Sequence, residues 1–427
     1  MSGNSESRKK AKVDDFYFLK IGPLWKHFWS DHPAFWFLCG YLFFEYFRPQ
    51  SIYPAINILP WTQILLMGAI VLSVFDKKSK FKISVVHVCI FLLSCQFLFG
   101  YFSADYPEWS IEYREFFIQW VVIFIAITYI TTTRERFYIL LLVFYLCSLK
   151  LAYGTALIWV KRGFSFSSFG IMGPPGYFQN SGELAIQMLV FFGLSYYLMK
   201  GFFGLSNKWE RLILIVGLLA PVMTILGASS RGSQLALVAL IIWLVRFRIF
   251  KIKYLISLAM ISALIVILLP EEQLNRFDSM GEDRTSEQRI LYWTRGIEMI
   301  LDHPFTGVGY YNYIPYFTEH YPDDILFTNL QGERIAELPH NILIQIGTDG
   351  GIPALIYYII IVGYCVFPKT KLDQPFSDID RGLCLGVLGF FIAGQFVTVG
   401  YYPFLWVSAA LLVSLRRVGL ANQTVSK

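Results

Sequence analysis

The sequence predicts an all-α polytopic membrane protein, and three observations predict it. Hydrophobic residues make up 56% of the chain and aromatics 18%, with 15% charged, against about 25% charged in soluble domains. Apolar runs near the roughly 17–25 residues that a bilayer-spanning helix needs recur along the chain, and no charge-rich region of domain size separates them. Lysine and arginine concentrate on alternate connections, as the inner loops of a multi-pass protein require.

Twelve spanning segments follow from the apolar runs: 33–47, 54–75, 83–103, 116–132, 137–159, 182–204, 211–228, 233–249, 253–270, 341–367, 382–399 and 401–415. They divide the chain into a cytoplasmic tail over 1–32, one membrane domain over 33–416 and a second cytoplasmic tail over 417–427. With both termini inside, 25 of the 36 basic residues fall on the inner side, 10 on the outer side, and Lys150 lies within a span. The net charge of +6 is therefore an orientation signal rather than a nucleic-acid footprint. The first thirty residues lack a 7–15-residue apolar core close behind Arg8-Lys9-Lys10, so they do not read as a cleavable signal peptide. All six cysteines (Cys39, Cys89, Cys95, Cys147, Cys365, Cys384) lie in or beside apolar segments without metal-type spacing, which predicts small buried hydrophobes.

One larger extramembrane stretch, 271–340, falls on the outer side. Within it Ile290, Trp293, Ile297, Ile300 and Leu301 recur at helical spacing from Ser286 to Leu301, which predicts an amphipathic helix against the membrane face. Asp302-His303-Pro304 ends that helix, and Gly307, Gly309 and Tyr310-Tyr311-Asn312-Tyr313 form an aromatic loop after it. Arg289 sits beside the apolar stripe. A short outer loop, 229–233, presents Arg231 next to Gly232, and the outer loop 160–181 adds Lys161, Arg162 and a Gly173-Pro174-Pro175-Gly176 turn. Fixed arginines close to a bilayer match phosphate oxygens with two parallel hydrogen bonds, and a lipid-linked phosphate is the natural ligand. The alternative for either arginine is a solvated loop charge or a headgroup contact.

His340 and Asn341 stand at the mouth of an apolar segment interrupted by Gly347, Gly350 and Gly351. An imidazole at the water end of a spanning helix is placed for proton transfer, and its plainer reading is an interfacial residue beside Asn341 as the helix cap. Asp349 falls nine residues after His340, roughly 13 Å along a regular helix, although the glycines and Pro353 predict that the helix is broken. The acidic pairs Glu271-Glu272, Glu282-Asp283 and Asp323-Asp324 lack metal-ligand spacing, so no metal or other cofactor is expected. Lys150 and Glu183 are further polar residues in or at the edge of spans.

Ser230-Arg231-Gly232, then Arg289 with Trp293 and Asp302-His303-Pro304-Phe305-Thr306-Gly307-Val308-Gly309, then His340-Asn341 with an acidic-Gly-Gly downstream, resemble the O-antigen ligase and polymerase superfamily over about 225–355. Gly176 to Ala185 is similar to a weaker upstream element of that family, which puts a family core at about 180–400. Asp349 stands where the family commonly has glutamate. The resemblance implies a metal-independent glycosyltransferase of the bacterial inner membrane whose site, with the 271–340 loop, faces the periplasm. It would act on undecaprenyl-diphosphate-linked glycan in lipopolysaccharide or exopolysaccharide synthesis. His340 would be the catalytic base, Arg231 and Arg289 would bind the diphosphate, and Asn341, Tyr310 and Asp349 would complete the substrate site. The implied partners are that donor, a glycan, lipid or protein acceptor, and the bilayer, with no nucleic acid. Ligase and polymerase differ only in the acceptor. A flippase or transporter of lipid-linked glycan remains as a third reading, although it needs no base.

Overall fold

A computed structural model of the chain describes residues 17–165, 170–246, 284–328, 331–369 and 371–425, with side chains as far as Leu420. These contain fifteen α-helices and no strand. In chain order they are α1 (Ile21–Ser30), α2 (Pro33–Tyr46), α3 (Pro49–Ile52), α4 (Trp61–Ser73), α5 (Val85–Tyr101), α6 (Pro107–Ile130), α7 (Arg134–Lys161), α8 (Ser181–Phe202), α9 (Lys208–Gly227), α10 (Arg231–Val245), α11 (Arg284–Asp302), α12 (Tyr313–His320), α13 (Ile342–Val366), α14 (Phe376–Ala393) and α15 (Pro403–Val425).

Among the described residues, six helices are long and apolar enough to cross a membrane: α6 to α9, α13 and α15, the last over Pro403–Leu420. The apolar helices α4, α5 and α10 are shorter. Each predicted segment that the structure describes contains a helix, and 253–270 lies outside the described residues, as do Glu271-Glu272 and Glu282-Asp283. Helix ends differ from the sequence reading where side chains satisfy them. Helix α6 starts at Pro107 rather than 116, because proline at the first turn gives up no needed hydrogen bond. Helix α14 stops at Ala393, and 394–402 becomes a connecting segment. Helix α15 runs on through 417–425, since its charged residues are paired: Arg416 donates to Asp380 at 2.6 Å and Arg417 to the Lys80 carbonyl at 2.8 Å. Five cysteines are buried, but Cys95 is exposed on α5.

Capping follows the residue types. Thr133 caps α7, Asn180 caps α8, and Asn207 with Glu210 forms a capping box on α9. Helices α8 and α14 pack antiparallel along small residues, with Gly201 beside Asp378, Gly193 against Gly386, and Gly182 beside Val397. A Cβ at Gly193 would meet the Gly386 nitrogen at 2.3 Å, so the backbones touch as small-residue packing permits.

The bundle has two distinct ends. One gathers the C-termini of α5, α7 and α9 with the N-termini of α6, α8, α10, α13 and α15, joined by Ser110 to Tyr310, Ile171 to Gly227 and Ile342 to Gly394 hydrogen bonds. At the opposite end Arg136, fully buried, donates to both Asp31 oxygens and to Asp76 at 2.6–2.9 Å, and Lys78 adds to Asp31. Burial pushes the Asp31 carboxyl up, but the bonds from Arg136, the His32 N–H and Lys78 outweigh it and hold it well below the usual carboxylate range.

Candidate functional site

At the first end, His340 occupies the left-handed region with φ of 51°, uncommon for a residue with a Cβ and strained unless its surroundings impose it. Four tertiary contacts impose it. The His340 N–H donates to the Thr398 hydroxyl at 2.8 Å, Trp293 Nε1 donates to the Pro339 carbonyl at 2.8 Å, and the Glu337 N–H donates to Tyr292 Oη at 2.9 Å. Asn341 caps α13 by accepting from the Leu343 and Ile344 N–H groups and donates weakly to the Gln395 carbonyl at 3.4 Å. Asn341 is thus the cap, and His340 precedes it with a side chain that the helix end does not consume.

The His340 ring pairs through Nε2 with Glu337 Oε2 at 3.3 Å. That hydrogen bond, with the charge of Arg289 acting in the same direction, holds the carboxyl of the largely exposed Glu337 below its ordinary range. Both residues border a cavity of about 270 Å³, whose wall also carries Gln288, Arg289, Tyr292 and Phe327. Arg289 and His340, 51 positions apart in sequence, therefore face one space. Helix α11 brings this about by packing on α13: Gly296 abuts Ile344, and Ile300 abuts Gly347. The predicted amphipathic helix is present, with two apolar faces. Tyr292, Met299 and Ile300 are buried, whereas Ile290, Ile297 and Leu301 are exposed and offer the face expected to meet the membrane.

The Asp302 to Gly309 stretch is a docking plug for the break in α13. Gly350 and Gly351 leave helical geometry, which frees carbonyls and N–H groups that would otherwise pair within the helix. The Ile352 N–H donates to the Pro304 carbonyl and the Val308 N–H to the Thr348 carbonyl, both at 2.8 Å, and Gln96 donates to the Gly350 carbonyl at 3.0 Å. Close approach requires glycine here: a Cβ at Gly307 would lie 2.2 Å from the Thr348 carbonyl oxygen, at φ of 62°.

Asp349 is 1% exposed and does not border the Arg289–His340 cavity. Its Oδ1 accepts from the Tyr311 N–H at 2.9 Å and its Oδ2 from Tyr401 Oη at 2.6 Å. It fixes the aromatic loop and the 394–402 segment rather than facing that cavity. Tyr310 is also buried. It lines a separate apolar cavity between α5 and α6 of about 410 Å³ and donates to the Tyr113 carbonyl. Arg231 opens α10 after Ser230, and its neighbour Gly232 packs on Phe396, one residue from the Gln395 that Asn341 contacts. It lies at the same end but is not among the residues lining the cavity.

Sequence reading missed Glu337, Thr398, Tyr401 and Tyr292. Glu337 stands three residues before His340 and could have been noticed by spacing. Thr398 and Tyr401 are 58 and 52 residues from their partners, with no local signal.

Fold and site together define a multi-helix membrane protein with a histidine–arginine cavity at one end of its bundle. Residues 214–359 match the family model described as O-Antigen ligase, and this segment, which holds Arg231, Arg289, His340, Asn341 and Asp349, supports the resemblance to the O-antigen ligase and polymerase superfamily. No curated protein matches the chain.

Proposed function

We propose that the protein is a membrane glycosyltransferase that transfers or polymerises glycan from an undecaprenyl-diphosphate donor at the periplasmic face of the inner membrane, in the synthesis of cell-surface polysaccharide. The observation that carries this reading is the cavity shared by Arg289 and His340. A hydroxyl of the acceptor attacks the anomeric carbon of the donor sugar, the bond from that carbon to the diphosphate oxygen breaks, and the hydroxyl proton passes to His340. Glu337 orients the ring through Nε2 and stabilises the imidazolium that forms. Arg289 in the cavity and Arg231 on the neighbouring helix start meet the charge of the departing undecaprenyl diphosphate. The roles of Asn341, Tyr310 and Asp349 are then to hold the His340 turn, the α5–α6 wall and the Tyr311 loop.

The base also separates this reading from a transporter, which needs none. Purified protein given undecaprenyl-diphosphate glycan and acceptor should release undecaprenyl diphosphate with excess chelator present. Activity lost on chelation and restored by a divalent ion would overturn the metal-independent mechanism. In a deletion strain, accumulated full-length lipid-linked polymer marks a ligase and accumulated single repeat units mark a polymerase. Accumulation of neither would overturn both.

A further inference from the structure

Beside the histidine cavity, the same end of the bundle holds a group of tyrosines and one carboxylate that the transfer chemistry does not use. Tyr311 stacks on Tyr113 with ring centroids 4.5 Å apart and an interplanar angle of 8°. Tyr177 meets Tyr402 edge to face at 5.2 Å, and Tyr402 Oη donates to Glu183 Oε1 at 2.8 Å. Along α6, Phe116 also stacks on Tyr311 at 5.9 Å and Trp120 meets Tyr177 edge to face at 5.2 Å, so the two pairs lie along one face of that helix. Tyr113, Tyr177, Tyr402 and Glu183 are all partly exposed.

Their polar groups have capacity left. The hydroxyls of Tyr113, Tyr177 and Tyr311 make no hydrogen bond among the described residues, and they are not among the polar atoms sealed from solvent without a partner. Glu183 is the third residue of α8, where its carboxylate also faces the Asn180 N–H. A carboxylate offers about four acceptor positions, so Tyr402 and this cap leave others open. Glu183 forms no ion pair among the described residues, whereas nearby Glu45 is paired with Arg48 at 3.4 Å.

The 394–402 segment ties this group to the reactive histidine. Thr398 accepts the His340 N–H and Tyr402 holds Glu183, and the four residue steps from Thr398 to Tyr402 can span at most roughly 14 Å. Asp349 sets the backbone of Tyr311, which has φ of 61°, and so positions the stacked pair. Flat aromatic faces, several open hydroxyls and one acceptor carboxylate without a cation suit a ring that carries many O–H donors and no negative charge.

We propose that Tyr113, Tyr177, Tyr311, Tyr402 and Glu183 form a subsite for a neutral, hydroxyl-rich sugar ring of the glycan being transferred or of its acceptor. It deepens the transfer reading by naming where a sugar is held. The test uses the full-length protein in lipid nanodiscs and two probes: the oligosaccharide released by mild acid from the cells' lipid-linked donor, and the glycan portion released from their surface acceptor. Saturation-transfer NMR should show at least one of them bound, and the one bound identifies the source. Tyr177→Phe or Tyr311→Phe should weaken that binding roughly two- to tenfold, and Glu183→Gln by tenfold or more. Glucuronate should not compete. Because the Tyr→Phe changes keep each ring, they hold the test open if Glu183→Gln unfolds α8. Binding that is absent from the wild type, unaltered in all three variants, or displaced by glucuronate would overturn the subsite. Binding that follows the prediction in a protein without transfer activity would overturn the reaction reading and leave the subsite standing.

Discussion

Arg136 and Arg289 both lie near helix ends at opposite ends of one bundle, yet their surroundings differ in kind. Arg136 is fully buried and its donors are taken by Asp31, Asp76 and the Ile130 carbonyl; Arg416 is treated alike by Asp380 and the Tyr364 and Phe367 carbonyls. Arg289 borders a cavity with His340 and Glu337. Fixed charge in this protein therefore has two uses. Where guanidinium and carboxylate satisfy one another, the residues fasten α2, α7 and the turn after α4, and a substitution should be read in stability. Where they border an open space, a substitution should be read in activity.

The largest effect on stability is expected at the fastened end. Arg136→Met should leave the buried Asp31 and Asp76 without the guanidinium that pairs them and cost about 3–5 kcal/mol, read as a lowered melting transition or loss of folded protein; an unchanged transition would show that the network carries no such weight. At the open end, Arg289→Lys or Arg231→Lys should keep the melting transition. Loss of the paired fork contact, about 1.5–3 kcal/mol, should slow transfer on the order of tenfold to more than a hundredfold at limiting donor. Full activity in either variant would remove that arginine from the diphosphate site.

Smaller changes sharpen the boundary between the ends. Gly307→Ala adds a Cβ at positive φ against the Thr348 carbonyl and should cost about 1–3 kcal/mol, loosening α11 from α13. Hydrogen exchange should then rise in both segments together, and protection unchanged in α11 would show that the plug does not couple them. Acid should act first at the fastened end. Asp31 and Asp76 have carboxyls held below their ordinary value, so their contribution is complete above about pH 4 and fades as pH falls through the folded-state values. A melting transition that is flat from neutral pH to about 4 and declines below it, with the decline reduced in Asp76→Asn, is the expected outcome.

How much of this was legible in the sequence depended on the range of the interaction. The helices over Arg134–Lys161 and Ser181–Phe202 follow from apolar runs and cap residues that act within a few positions, as do the amphipathic α11 and the break at Gly350-Gly351. The face on which α11 packs was not legible, because Gly296 and Ile300 are selected by the shape of α13 and Tyr292 by the rings of Tyr313 and Phe317 on α12. For the site, His340, Arg231 and Arg289 were singled out through motif and resemblance, whereas Asp349, expected to complete the substrate site, is buried away from the cavity of Arg289 and His340. Its partners Tyr311 and Tyr401 come from the aromatic loop and from the 394–402 segment, and only the fold brings them together. Glu337 could have been found at three residues' spacing; Thr398 could not.

The most direct test of the account is His340→Ala in purified protein whose melting transition matches the wild type, assayed for transfer from undecaprenyl-diphosphate glycan. Loss of the base should lower turnover about 10²–10⁴-fold while the fold is kept, since Asn341 rather than His340 caps α13. Turnover within a fewfold of wild type would contradict the role given to His340 and to the cavity it shares with Arg289.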